Sequence, residues 1–145
     1  MGHVFDFSEA VNYEQWFNKP QNKLAFGLET QLMRDMLQPM RGESVLDLGC
    51  GAGACLTAFL EMGLRVTGLD PSTYMLDMAL EKIGHRADLY RGYAEDLPFD
   101  DNSFNYGCLF TTLEFVDDPK KALQEAFRVT KDRVFIGVLN RYALK

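Results

Sequence analysis

Residues 45–53 read Val-Leu-Asp-Leu-Gly-Cys-Gly-Ala-Gly, and the next apolar run, 65–69, stops at Asp70. A short apolar run bounded by turn residues is a buried strand. Gly49, Gly51 and Gly53 then remove side chains where the backbone must turn sharply and where a ligand can approach it closely. Three alternating glycines are costly unless something occupies the space they leave. Asp70 completes a strand–glycine loop–helix–strand–acid unit, a pattern that takes an adenine nucleoside and sets its ribose hydroxyls on the second acid. Asp47, two residues ahead of the first glycine, puts negative charge beneath the loop. It therefore favours a cationic group there over a pyrophosphate.

The rest of the pattern supplies a frame for this unit. Residues 1–19 are rich in aromatics (Phe5, Phe7, Tyr13, Trp16, Phe17) and read either as an amphipathic segment packed on the body or as a flap over a ligand. Leu24, Leu28, Leu32 and Met36 fall four apart, one stripe of a helix over 23–37 that Pro39 and Gly42 end. Strands are expected at 44–48, 65–69, 88–93, 104–110 and 133–139. Helices are expected over 54–62, from the capping Ser72 to Gly84, and from Pro119 onward. Met75, Leu76, Ala79, Leu80 and Ile83 form the buried face of the second of these, and Ala122, Leu123, Ala126 and Phe127 that of the third. Strands alternating with helices predict an α/β fold, a doubly wound, mostly parallel Rossmann-like sheet with helices on both faces. Right-handed crossovers bring the strand ends carrying Gly49, Asp70, Tyr93 and Phe110 to one edge, where open α/β sheets bind ligands.

Bulk properties narrow the function. The 145 residues suit one core, and the net charge of −6 argues against a phosphate backbone as the main partner. Three cysteines, Cys50, Cys55 and Cys108, stand at no metal-ligand spacing and fit buried thiols in a reducing compartment. No signal-peptide pattern opens the chain and no apolar stretch is long enough to span a bilayer, so a cytoplasmic protein without an anchor is expected.

Individual residues sharpen the picture. Asp70 can accept two charge-assisted hydrogen bonds from a ribose diol, each contributing about 1.5–3 kcal/mol. Residues 91–99, Arg-Gly-Tyr-Ala-Glu-Asp-Leu-Pro-Phe, read as a second ligand-facing loop whose amides and acids can meet an adenine edge. Met75 is a core residue by spacing, with neighbours that set it near the ribose. Glu114 leaves the fourth strand either into solvent or onto a substrate. His3 and His85 carry no evident chemistry. There is no Ser-His-Asp order, no metal-ligand cluster and no Walker-type loop.

Taken together, Asp47-Leu48-Gly49-Cys50-Gly51-Ala52-Gly53, Asp70-Pro71-Ser72-x-x-Met75, Ala94-Glu95-Asp96-Leu97-Pro98-Phe99 and Leu113-Glu114-Phe115-Val116-Asp117-Asp118-Pro119 resemble the motifs of class I S-adenosylmethionine-dependent methyltransferases. The resemblance spans roughly residues 40–140 and points to the branch of quinone-biosynthesis and small-molecule enzymes. It implies a cofactor site drawn from Asp47, Gly49, Cys50, Gly51, Gly53, Asp70, Pro71, Met75, Tyr93, Ala94, Glu95 and Phe110. Gly49 and Gly51 would pass under the methionine part, Asp47 would face its amino group, and Asp70 the ribose. Tyr93, Ala94 and Glu95 would frame the adenine, and Phe110 would lie near the sulfonium. Tyr93 stands where the family often has a small polar residue. The implied activity is methyl transfer to a small-molecule acceptor by in-line displacement. Glu114 and Tyr13 are the candidates for a base.

The family sheet usually has seven strands, and five are legible here. Residues 1–42 read as a helical segment and lid, and 43–145 as the cofactor-binding core. Asn140-Arg141-Tyr142 resembles the start of a continuation, so the expectation is a fragment, or a protein that completes its sheet through a partner. The apolar run 133–139 would otherwise be a free edge that invites a homodimer. Two other readings stay open. Gly49-x-Gly51-x-x-Ala54 also meets the looser fingerprint of an NAD-dependent dehydrogenase, although Asp47 would then crowd a pyrophosphate. The chain could also keep the fold as a non-catalytic cofactor-binding or scaffold subunit.

Overall fold

The computed structural model describes residues 2–139. The chain runs α1 (Phe7–Phe17), α2 (Pro20–Leu37), β1 (Ser44–Leu48), α3 (Ala54–Glu61), β2 (Arg65–Asp70), α4 (Thr73–Ile83), a 3-10 turn (Gly84–Arg86), β3 (Ala87–Arg91), β4 (Phe104–Phe110), α5 (Pro119–Val129) and β5 (Thr130–Gly137). The five strands form one sheet in the order β3-β2-β1-β4-β5, and every pair is parallel. This is the doubly wound α/β architecture that the alternation of strands and helices predicts.

The period-2 alternation of the strands sorts the core into two layers. Val45, Val66, Tyr106, Cys108 and Phe135 face α2, α3 and α4, where they meet Met33, Leu37, Leu56, Phe59 and Ile83. Leu46, Leu48, Leu69 and Leu109 face the other way and pack with Ala126 and Val129 of α5 and with Leu97 and Phe104. Three helices start on side-chain caps. Asp6 accepts the Glu9 N–H at 2.8 Å, Ser72 that of Met75 at 3.3 Å and Asp118 that of Lys121 at 3.1 Å. Each cap satisfies an amide that the first helical turn leaves open. Among the described residues no helix is long and apolar enough to cross a membrane.

Some faces differ from the sequence reading. The stripe Leu24, Leu28, Leu32 and Met36 points outward, and α2 buries Met33 and Leu37 instead, with Phe26 packed against the same cluster. Both stripes of α2 are apolar, and the sheet selects the one whose Phe26 ring meets Phe110 edge-on at 5.7 Å. Leu80 and Phe127 are exposed, while Glu125 is buried. The strand expected at 133–139 begins at Thr130 and ends at Gly137, and that expected at 88–93 spans Ala87–Arg91, so Tyr93 lies in a loop. The segment Asn140-Arg141-Tyr142 lies outside the described residues.

Glu125 is buried because it organises the long loop between β3 and β4. Its carboxylate accepts the Leu97 N–H at 2.8 Å and two bonds from Arg128 at 2.8 and 3.0 Å. Arg128 also donates to the carbonyls of Phe99 at 2.8 Å and Leu97 at 3.1 Å. The Glu125→Ala variant leaves the Leu97 amide unpaired and Arg128 without its bidentate partner. The expected loss of stability is about 2–3 kcal/mol, read from urea denaturation.

Candidate functional site

The chain steps from β1 outward to β2 and β3, then returns to β4 and β5 on the other side of β1. The reversal falls between β1 and β4, and open α/β sheets bind ligands outside the carboxyl ends of the strands at such a point. A cavity of about 540 Å³ opens there. That volume is in the range of small-molecule sites, roughly 300–1,000 Å³. Its wall comes from the ends of β1, β2 and β4, the 93–95 loop, the N-terminal segment, α1 and α2.

The glycine loop forms its floor. Gly49 has φ +71°, and a Cβ there would come within 2.5 Å of the Thr112 hydroxyl oxygen. Both the backbone angle and the packing therefore demand glycine. Thr112 uses the vacated space to donate its hydroxyl to the Leu48 carbonyl at 2.7 Å, tying the end of β1 to the segment after β4. Thr111 beside it is a β-branched residue at φ +54° and lines the cavity. A conformation of this kind costs about 1–3 kcal/mol and persists where the surroundings enforce it. Gly51, at φ +54°, has nothing within 4 Å of where a Cβ would stand, so its backbone faces open space.

Asp70 holds this loop in shape. One carboxylate oxygen accepts the Gly51 N–H at 3.0 Å and the other the Ser72 N–H at 2.9 Å. A carboxylate offers about four lone-pair sites, so about two are not used by these amides. Burial raises the Asp70 pKa, and the two amide bonds hold it back. Ser72 in turn donates its hydroxyl to the Phe5 carbonyl at 2.6 Å, and His3 N–H donates to Phe115 O at 2.9 Å. Residues 3–5 thus form a strap between the start of α4 and the segment after β4. Phe5 meets Tyr13 and Phe115 edge-on at 6.1 and 5.4 Å.

Asp47 stands apart electrostatically. It is 1% exposed, and among the described residues its Oδ2 has no hydrogen-bond partner. Burial, then the Asp70 charge, pushes its pKa up to about 8, against an opposing hydrogen bond from the Cys108 thiol. Cys50, Cys55 and Cys108 are all free and buried, and burial raises the Cys50 thiol. Tyr13 is pushed up to about 12, chiefly by burial, so it faces the cavity as a hydroxyl donor.

Of the sequence-derived candidates, Asp47, Gly49, Cys50, Gly51, Asp70, Pro71, Met75, Tyr93, Ala94, Glu95 and Phe110 line this one cavity. Gly53 does not. It opens α3 at φ +99° and packs under Ala79, 3.4 Å from where its Cβ would be. Glu114 is not a lining residue either, and accepts the Leu139 N–H at 3.3 Å. The structure adds His3, Phe26, Glu29 and Thr112 to the lining. His3 contacts the Glu9 carboxylate through Nε2. Thr112 lies directly before the run that follows the fourth strand and His3 within the aromatic-rich segment 1–19 that reads as a packed segment or a flap, whereas Phe26 and Glu29 carried no such signal. Among the described residues no group of His, Cys, Asp or Glu side chains is arranged to hold a metal.

Comparison with known proteins fits this geometry. Residues 46–136 match the model of the methyltransferase domain family. The chain is 33% identical over 141 residues to an uncharacterised protein of Methanocaldococcus jannaschii, covering 96% of this chain and 62% of that one. It is 39% identical over 105 residues to the demethylmenaquinone methyltransferase of Renibacterium salmoninarum, covering 70% of this chain and 42% of the relative. A solved Thermotoga maritima structure, described as a methyltransferase and possible histamine N-methyltransferase, superposes with a TM-score of 0.75. It is 30% identical and covers 93% of this chain and 61% of that one. The chain belongs to the methyltransferase domain family, and it spans 42–62% of the length of these relatives.

The buried Asp47 gives a pH signature. Folding moves its pKa from 3.8 to about 8, so the folded chain keeps a proton that the unfolded chain has lost over that interval. The ligand-free protein should lose stability as pH rises from about 4 toward 8. Asp47→Asn should remove most of that slope in thermal melts across the interval.

Proposed function

We propose that the chain is an S-adenosylmethionine-dependent methyltransferase acting on a small, ring-bearing acceptor. The observation that carries this reading is the orphaned oxygen of Asp47 beneath the glycine loop. A buried carboxylate oxygen without a partner is costly, and a ligand ammonium would satisfy it. The open backbone at Gly51 and the two spare acceptor sites of Asp70 fit the rest of such a cofactor, with its ribose on Asp70. Tyr93, Ala94 and Glu95 would border the adenine, and Pro71 and Met75 the ribose. The family membership favours this cofactor over a nicotinamide dinucleotide.

Bound S-adenosylmethionine supplies a methyl already activated on a sulfonium. The protein's task is then to hold, align and exclude water. Alignment of an acceptor can supply about 7–11 kcal/mol. Residues 1–42 act as the lid in this reading, through the strap and the rings of α1, and 43–145 as the cofactor-binding core. Two relatives support a ring-bearing acceptor, since one is named for demethylmenaquinone and one is described as a possible histamine enzyme. The net charge of −6 disfavours nucleic acid, and three buried free cysteines suit the cytoplasm.

Calorimetric titration tests the cofactor. S-adenosylmethionine and S-adenosylhomocysteine should bind the wild type, and NAD should not. Asp70→Ala should weaken both by about tenfold or more while retaining its circular dichroism spectrum. Binding of NAD alone would sink the reading.

We also propose a second copy of the chain as a partner at β5. Among the described residues this strand has one neighbour in the sheet, and Ile136, Val138 and Leu139 are exposed on and after it. Free apolar edges pair with other chains. Light scattering should give a dimer that Ile136→Lys returns to monomer, and a wild-type monomer at high concentration would rule the pairing out.

A further inference from the structure

The cavity is lined by the carboxylates Glu14, Glu29, Asp47, Asp70 and Glu95. Three of them are committed within the protein. Glu14 pairs with Lys82 at 3.3 Å. Asp70 accepts the amides of Gly51 and Ser72. Glu95 accepts those of Asp117 and Asp118 at 3.2 and 3.4 Å. Asp47 is answered by the cofactor in the reading above, on which this inference rests. Glu29 is left: it is exposed, and among the described residues it makes no ion pair and no hydrogen bond.

Its surroundings are aromatic. Phe26 precedes Glu29 by three positions and so lies on the same face of α2. The Phe26 ring meets Phe110 edge-on at 5.7 Å and Phe17 at 5.1 Å, and Tyr13 stacks on Phe17 at 6.4 Å. Burial raises the Glu29 pKa, and its charge bears on Tyr13 and Cys55, which also line the cavity. A ring wall beside an unanswered carboxylate is the chemistry that recognises an ammonium attached to an aromatic group. The same wall already shows the preference once. The Lys82 ammonium lies 6.0 Å over the Phe17 ring while it pairs with Glu14. Lys82 and His3 are the cationic or basic residues of the lining, and both already have carboxylate partners, Glu14 and Glu9.

We infer that the ring wall of Phe26, Phe110 and Tyr13 with Glu29 is the acceptor subsite, and that it selects an arylalkylamine, a ring carrying an ammonium on a short alkyl chain. The ring lies against Phe26 and Phe110, and the ammonium sits on Glu29. Glu29 is a specificity-determining residue. It rejects anionic acceptors, which would enter a cavity already rich in negative charge. It favours a cationic acceptor over a neutral one of the same shape by a charge-assisted hydrogen bond.

Three ligands of one shape and different charge test this. Protein saturated with S-adenosylhomocysteine is titrated by calorimetry with tryptamine, tryptophol and indole-3-acetate. Tryptamine should bind at least about tenfold more tightly than the other two. Glu29→Gln should bring tryptamine to the level of tryptophol and leave S-adenosylhomocysteine affinity unchanged. Equal binding of the three, tightest binding of indole-3-acetate, no binding of tryptamine, or an unaltered preference in Glu29→Gln would each overturn the inference. Failure of S-adenosylhomocysteine itself to bind would instead overturn the cofactor reading beneath it.

Discussion

The arrangement of the site depends on the close approach of Gly49 to Thr112. The ends of β1 and the segment after β4 can be joined there only because residue 49 has no side chain and a left-handed backbone. The Thr112 hydroxyl then closes the junction onto the Leu48 carbonyl. That junction lies at the switch point of the sheet, so its geometry sets the width of the crevice in which the ligand groups converge. Asp70 fixes the other side of the same loop through the Gly51 amide, and Ser72 relays the arrangement to the N-terminal strap at Phe5. A short chain of contacts thus links the end of β1, the end of β2 and the covering segment.

The fold was legible because its signals are local. Glycine loop, capping serine and Pro119 each mark an element boundary by backbone chemistry that the folded chain has little freedom to override. The inner strands β1, β2 and β4 were legible because parallel strands buried on both faces read as apolar runs, whereas the bounds of the more exposed β3 and β5 were not. The faces of α2 and α5 were not. Leu24, Leu28, Leu32 and Met36 are as apolar as Phe26, Met33 and Leu37, and only the shape of the sheet chooses between the two stripes. Glu125 was missed for a related reason. Its burial is stabilised by Arg128, three residues on, and by the Leu97 amide, a contact with no trace in local sequence.

The candidate site divides in the same way. Its glycines and acids lie in motifs at the ends of strands, where topology guarantees convergence. Phe26 and Glu29 lie mid-helix, and nothing in a helical repeat distinguishes a residue facing a cavity from one facing the core. His3 gains its place from a strap whose bonds run to Phe115 and Ser72, more than 60 residues away. Contacts of that sequence separation are a property of the folded chain.

The charge of the cavity links its cofactor to its acceptor. A site with several carboxylates is less favourable when empty, because the buried Asp47 and Asp70 lose hydration and like charges repel one another. The protein relieves most of this internally, with Lys82 at Glu14, backbone amides at Asp70 and Glu95, and a retained proton at Asp47. A cationic cofactor at Asp47 removes the need for that proton and draws the carboxylate into its charged form. Glu29 belongs to the same field but lies outside the glycine loop, so one ligand cannot satisfy both acids through a single ammonium. In the proposed reading a cationic acceptor at Glu29 would act on the same field as the cofactor at Asp47.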